Sequence, residues 1–296
     1  MATATQTRPT KQPTPKQIHR LADRYVPRFT QTYLAEVERL RNQITPELME
    51  RAMREGLTGD PYSLLDLVDA MAIAKEASPI DHYPVYTELL ASAAKLAGVN
   101  LSIDSPFVLE AAKKLTANLV TNVRASTKKA IRQIIFEAVR DGDAPAVAQK
   151  AIREIVGLTQ QDAMRIKRLQ KAGAPPERVA RTRAKYLRRR ALNIARSETM
   201  FASNRGQQLA WREMVRDNLI DTSGFAQEWI TTPDDRLCDL CSPMDGQSID
   251  LGSSFESSER GVLPSARVPY AGVSVESPPL HPGCRCTLGA SFGDDE

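Results

Sequence analysis

Apolar residues in the first half of the chain recur every three to four positions, the spacing that places them on one face of a helix. Ile18, Leu21, Tyr25, Phe29, Tyr33, Val37 and Leu40 trace such a stripe from Gln17, with Pro27 expected to bend it. Thr45-Pro46 opens a short helix that Gly56 stops, and Asp60-Pro61 opens another that runs to about Ala77. After Ser78-Pro79 and Pro84 a further helix reaches Gly98. Ser105-Pro106 starts the longest N-terminal candidate, to about Arg140, whose apolar side includes Val108, Leu115, Leu119, Val123, Ile131 and Ile135.

The punctuation continues past this point. A helix over 144–155 ends at Gly157, Thr159 N-caps the next, and Gly173 stops it. From Pro175-Pro176 a helical region extends to about Leu219, with a break expected near Ser197 or Gly206. Beyond Asp221 the period changes. Phe225 to Thr231 alternates like a strand, Met244 to Gln247 reads as a tight turn, and a second strand leaves Cys286. The stretch 242–280 is rich in Gly, Ser and Pro, and is expected as a long loop with a short hairpin.

The pattern therefore predicts a mainly α fold, with a helical N-terminal body of long helices and a small α+β, cysteine-stapled C-terminal module. Four segments are expected: a disordered arm over 1–14, a helical domain over 15–142, an Arg-rich helical region over 143–220, and a strand-and-loop module with an acidic tail over 221–296. Aromatics are only 5% of residues, so packing must rest on aliphatic side chains, as it does in helical bundles. No stretch approaches the roughly 18 consecutive apolar residues of a membrane span, so no membrane partner is expected. The polar, Pro/Thr-rich start lacks the apolar core of a secretory signal, which points to synthesis in a reducing cytoplasm. There, paired cysteines hold metal more often than they form disulfides.

All four cysteines sit in the last fifth of the chain. They form two close pairs, Cys238-Asp-Leu-Cys241 and His281-Pro-Gly-Cys284-Arg-Cys286. Short pairs separated by a long flexible stretch are what a chain needs to wrap a tetrahedral ion, and thiolate and imidazole are zinc's preferred donors. Five candidates exist for four places. The four thiolates are favoured for a structural zinc, with His281 as the substitute for Cys284 or Cys286. A disulfide, simple packing, and a Cys nucleophile activated by His281 are the competing readings. The last finds no Gly-framed nucleophile motif in support, and neither a catalytic residue nor a small-molecule substrate is expected. His19 and His82 lie among helical segments far from the pairs in sequence and read as ordinary surface or core histidines.

Net charge is only +4, but from Ala163 to Arg196 there are twelve Lys or Arg against one acid, Glu177, so the local field matters more than the total. Arg178, Arg181, Arg183, Lys185, Arg188, Arg189, Arg190 and Arg196 are the candidate contacts to double-stranded DNA. They suit phosphate binding without sequence readout. A solvated helix face, or a dock for an acidic protein surface, explains the same run. Tyr186 is the only aromatic residue among them, which argues against stacking on single-stranded bases.

Taken together, Arg196-Ser-Glu198-Thr199, Asn204-Arg-Gly206, a strand bearing Trp229, Asp235-Arg-Leu-Cys238-Asp-Leu-Cys241, Asp245-Gly246 and Pro278-Pro-Leu-His281-Pro-Gly-Cys284-Arg-Cys286 resemble the phage Mu F-like minor head protein family over roughly residues 150–290. Ser197 stands where the family often has Thr. The resemblance implies a non-enzymatic minor capsid and head-morphogenesis protein of a tailed bacteriophage. Its partners would be the portal protein, scaffold or major capsid protein, and its place the capsid interior or portal vertex after assembly in the host cytoplasm. Some relatives carry fused toxin or enzyme domains after this module; none is expected in the ten residues after Cys286. The rival reading is a zinc-stapled DNA-binding protein outside any virion.

Overall fold

The computed structural model describes residues 12–45, 47, 50, 82–115, 145–220, 224–234, 237–257, 261–262, 269–270 and 273–292. The helices expected over 46–56 and 61–77, most of the arm over 1–14, and the continuation to Arg140 fall largely outside these residues. The fold is mainly α with a small α+β, cysteine-bearing C-terminal module. Its chain order is α1 (Pro15–Gln43), α2 (Tyr83–Leu96), a helical stretch over 106–115, α3 (Pro145–Ile155), α4 (Gln160–Lys171) and α5 (Pro176–Arg216). The strands follow: β1 (Phe225–Ile230), β2 (Ser248–Asp250), β3 (Phe255–Ser257), β4 (Gly261–Val262), β5 (Pro269–Tyr270), β6 (Val273–Val275) and β7 (Thr287–Phe292).

The local rules that start and stop helices are visible in the structure. Thr14 and Gln17 form a reciprocal capping box at the start of α1, the Thr14 N–H donating to Gln17 Oε1 at 2.8 Å and the Gln17 N–H to Thr14 Oγ1 at 3.3 Å. The helix continues through Pro27 to Gln43. Thr159 accepts from the Asp162 N–H at the start of α4. Gly157, at φ +80°, could not be another residue, because a Cβ there would lie 2.6 Å from a Val37 methyl.

The chain forms two compact units, each built from segments distant in sequence. One comprises residues 30–82 and 116–192. Its described core joins Tyr33 and Val37 of α1, Ile152 and Ile155 of α3, Ala163 and Ile166 of α4, and Val179, Leu187 and Ala191 of α5. The Tyr33 hydroxyl, buried among them, donates to Gly157 O at 3.2 Å.

The other unit comprises residues 1–29, 83–115 and 193–296. Ile18, Ala22 and Phe29 of α1 are buried in it with Tyr86, Leu89, Leu90, Ala93 and Ala94 of α2, and Phe29 meets Tyr86 edge-on at 5.3 Å. Glu198 accepts from the Tyr86 hydroxyl at 2.6 Å, and burial raises its carboxyl pKa above the ordinary range.

α5 is unbroken, contrary to the break expected near Ser197 or Gly206, and the reason lies in α2. A Cβ on Gly206 would stand 2.6 Å from Leu90 O and 2.5 Å from the Ala93 Cβ, so this glycine allows two helices to approach closely and does not end one. Ser197 is absorbed by donating back to Asn193 O at 3.0 Å.

In the same unit β1 is the centre of an antiparallel sheet of order β2-β1-β7, with Trp229 opposite Leu288 and Phe225 opposite Phe292. Trp211, Met214, Trp229, Met244, Phe255 and Leu288 form its core together with Cys241, Cys284 and Cys286. The stretch expected as a long loop with a short hairpin carries, among its described residues, two antiparallel pairings, β3 with β6 and β4 with β5.

Candidate metal centre and basic helix face

Each cysteine pair is turned inward by its own backbone. The N–H groups of Cys241 and Ser242 both return to Cys238 O at 3.0 Å, closing a knuckle around the first pair. Cys284 N–H returns to His281 O at 3.0 Å, and Gly283 takes φ +80°. The expected convergence is present: Cys241 Sγ lies 3.6 Å from Cys284 Sγ, and all four cysteines are free. His281 Nε2 lies 3.0 Å from Cys238 Sγ and 3.2 Å from Cys241 Sγ, so the imidazole is placed against the first pair, not in the position of Cys284 or Cys286. Two groups of three donors result, Cys238-Cys241-His281 and Cys241-Cys284-Cys286, each with its ligand atoms within 4.8 Å of one another. Cys241 belongs to both.

The donor set suits a metal ion. Donor atoms around a tetrahedral zinc with bonds of about 2.3 Å stand about 3.8 Å apart, the scale of both groups. All five residues line one small cavity of ≈ 20 Å³, room for a single ion or water. Cys241, Cys284 and Cys286 are buried, with Leu240, Met244 and Leu280 in the same core. His281 Nδ1 faces Pro282 O at 3.0 Å; a carbonyl can only accept, so Nδ1 is the donor there, and Nε2 is the ring nitrogen turned to the sulfurs. Thiol hydrogen bonds from Cys241 and Cys286 pull Cys284 far below the ordinary thiol range, while the bond to Cys284 drives Cys241 up. Three contacting sulfurs cannot all ionise unaided, and a cation among them removes that conflict.

Supports from other elements hold the second pair. Asn204 of α5, fully buried, donates to Pro278 O at 3.1 Å and to Cys286 O at 3.4 Å, and accepts from the Leu288 N–H at 3.1 Å. Ser197 Oγ accepts from the Gly283 N–H at 3.1 Å. Arg285 forks onto Asp234, with one bond at 2.6 Å, and its carbonyl meets Thr232 Oγ1 at 3.1 Å and His19 Nε2 at 2.8 Å. His19, read as an ordinary histidine far from the clasp, thus touches its backbone. Sequence reading missed this contact and the role of Asn204. Thr199, Ser203, Asn204, Gln207 and Gln208 are polar yet buried on α5, a burial that only the fold reveals.

The structure separates the eight arginine-rich candidates. Arg183 is buried and donates to Glu154 O at 3.0 Å; burial, then the neighbouring Arg41, lowers its pKa. Arg189 spans both Asp162 oxygens at 2.9 Å, and Arg190 donates to Gly157 O at 2.9 Å. These three hold their own unit together. Arg178, Arg181, Lys185 and Arg188 are exposed and have no side-chain partner among the described residues. Their 3-4-3 spacing sets them within an arc of about 80° along about 15 Å of helix. Arg196, in the other unit, lines a cavity of ≈ 450 Å³ with His19, Asp23, Cys284 and Arg285. Among the described residues no helix is long and apolar enough to cross a membrane.

Residues 129–289, more than half of the chain, match the family described as phage Mu protein F like protein. The match takes in the five metal-donor candidates and the whole of α5. No curated protein and no solved structure matches the chain.

Proposed function

The chain belongs to the phage Mu protein F like family, and from that premise we propose that it is a minor capsid protein of a tailed bacteriophage. It acts as a structural head-assembly factor, without catalytic activity, at the portal vertex or head interior. Portal, scaffold or major capsid protein are its protein partners. The observation that carries the reading is the family match over the same residues that build the cysteine clasp and its supports from α5. A pull-down from infected cells tests it: portal or shell protein should co-purify with the tagged chain, and their absence overturns the assembly role.

Within that role the clasp is a structural zinc site. Cys238, Cys241, Cys284 and Cys286 are the ligands we assign, with His281 as the alternative donor. Zinc there supplies a closed coordination shell and no open position for chemistry. The chain's own contribution is to hold 238–241 and 281–286 in register through Asn204, Ser197 and the Arg285–Asp234 fork. Elemental analysis should find one zinc per chain, and a chelator should lower the melting temperature.

The exposed Arg178, Arg181, Lys185 and Arg188 face packaged double-stranded DNA. A 15 Å stripe spans about four phosphates of one strand at 3.4 Å each. The same stripe also suits a DNA-binding protein that works outside a virion. Salt-dependent duplex binding without any co-purifying head protein would favour that second reading.

A further inference from the structure

The basic field of the unit that holds α4 extends beyond the α5 stripe. Arg168 and Lys171, in the last turn of α4, are exposed and have no side-chain hydrogen bond or ion pair among the described residues. At about 100° per residue, Arg168 points about 140° away from Ala163 and about 160° away from Ile166, the buried positions of α4, so it faces out of the core. α4 and the start of α5 form one hairpin. Only residues 172–175 separate Lys171 from Pro176, and at the other end Arg189 of α5 binds both carboxylate oxygens of Asp162 in α4 at 2.9 Å. Ties at both ends set the two helices side by side and antiparallel. Arg168 and Lys171 thus stand level with Arg178 and Arg181 at the closed end.

This crowding of cations does not serve the unit's own stability. The last carbonyls of α4 are already capped by backbone, Ala172, Gly173 and Ala174 returning their N–H groups to Arg168, Gln170 and Leu169 at 3.0 Å with Gly173 at φ +69°. Arg178 and Arg181 stand in the first two turns of α5, where the helix dipole already places positive charge. Glu177 is the one acid between Ala163 and Arg196. Lys167 registers the imbalance: burial, and then the neighbouring Lys171, lowers its pKa. A polyanion set against the hairpin relieves that repulsion.

We propose that the closed end of the α4–α5 hairpin is a two-helix clamp on duplex DNA, Arg168 and Lys171 meeting the phosphates of one strand and the α5 stripe those of the other. This rests on the DNA reading above and adds to it a second helix and a second strand. Packed helices have axes about 8–10 Å apart, and the minor groove of B-DNA is about 6 Å wide. Two rows of long cationic side chains on neighbouring helices therefore reach the phosphates along both edges of that groove. A single strand offers a partner to one row only.

The test titrates the full chain with a short labelled duplex, and with one of its strands alone, over a range of salt concentrations. Arg168→Gln combined with Lys171→Gln should flatten the slope of log K against log salt on the duplex by about 2 and leave the single-strand slope nearly unchanged. Both side chains are exposed and unpaired, so the melting temperature should not move. An unchanged duplex slope overturns the clamp; if replacing Arg178, Arg181, Lys185 and Arg188 by Gln still flattens it, the α5 stripe alone is the DNA contact and the DNA reading stands. Equal flattening on duplex and single strand also overturns the clamp, because both rows then follow one strand. Loss of co-purifying head protein with duplex binding intact assigns the hairpin to an acidic protein surface instead. A natural chain that binds no duplex sinks the DNA reading and the clamp together.

Discussion

The cysteine clasp and the arginine-rich helix are both dense clusters of one residue type, and the fold treats them in opposite ways. Four cysteines and one histidine, spread over more than forty residues of sequence, converge on a single ≈ 20 Å³ space. The arginines are neighbours in sequence, yet the helix sends them to different places. Arg183, Arg189 and Arg190 are tied to Glu154, Asp162 and Gly157, the first of them buried, whereas Arg178, Arg181, Lys185 and Arg188 face solvent with no such tie among the described residues. The lesson is that a charge run is not a surface. A helix rotates each successive side chain by about 100°, so a run of like residues is divided among faces, whereas short-range ligands must meet at a point.

The strongest way to break this contrast is at Cys241, the donor common to both groups. Cys241→Ala should abolish stoichiometric zinc and leave the C-terminal module unfolded at temperatures where the natural chain is intact, because in such sites the metal's binding energy is largely folding energy. Cys238→Ala, which removes a half-exposed member of one group only, should retain weaker binding through His281. Metal titration and thermal melts compare the two, and equal losses would remove the special position of Cys241.

The next largest effect is expected at Asn204, which supports the clasp without being a ligand. Asn204→Ala strips partners from the carbonyls of Pro278 and Cys286 and from the Leu288 N–H. A loss of about 2–4 kcal/mol should appear in urea melts, beyond that of an ordinary surface substitution.

The smallest effect on stability sharpens the arginine half of the comparison. Replacing Arg178, Arg181, Lys185 and Arg188 together by Gln should leave the melting temperature unchanged. It should flatten the dependence of log K on log salt for duplex DNA by about 3 to 4. Arg183→Ala should do the reverse, destabilising by about 1–2 kcal/mol and leaving the salt slope alone. If both sets act alike, the division between structural and free cations is wrong.

Much of the fold could be read before any coordinates, because capping and glycine rules act within a few residues. The stops at Gly98, Gly157 and Gly173 take positive φ as their positions demand, and Thr159 caps α4. Gly206 misled for the opposite reason. Its meaning lies in the backbone of Leu90, more than a hundred residues earlier, and no local pattern contains that approach. The candidate site divides in the same manner. The spacing of the cysteines pointed to convergence, but nothing near His19, Ser197 or Asn204 in sequence announced that they hold the clasp from helices.

What the amino-acid order decided alone is the set of elements and the donor chemistry: where helices begin and end, where the period turns from helical to extended, and which five side chains are able to bind an ion. These follow from interactions within a turn or two of chain. Only the tertiary structure decided which arginines remain free and why α5 carries polar residues in its buried face. Those answers depend on groups far apart in sequence competing for the same buried space, where a polar atom must find a partner or cost stability.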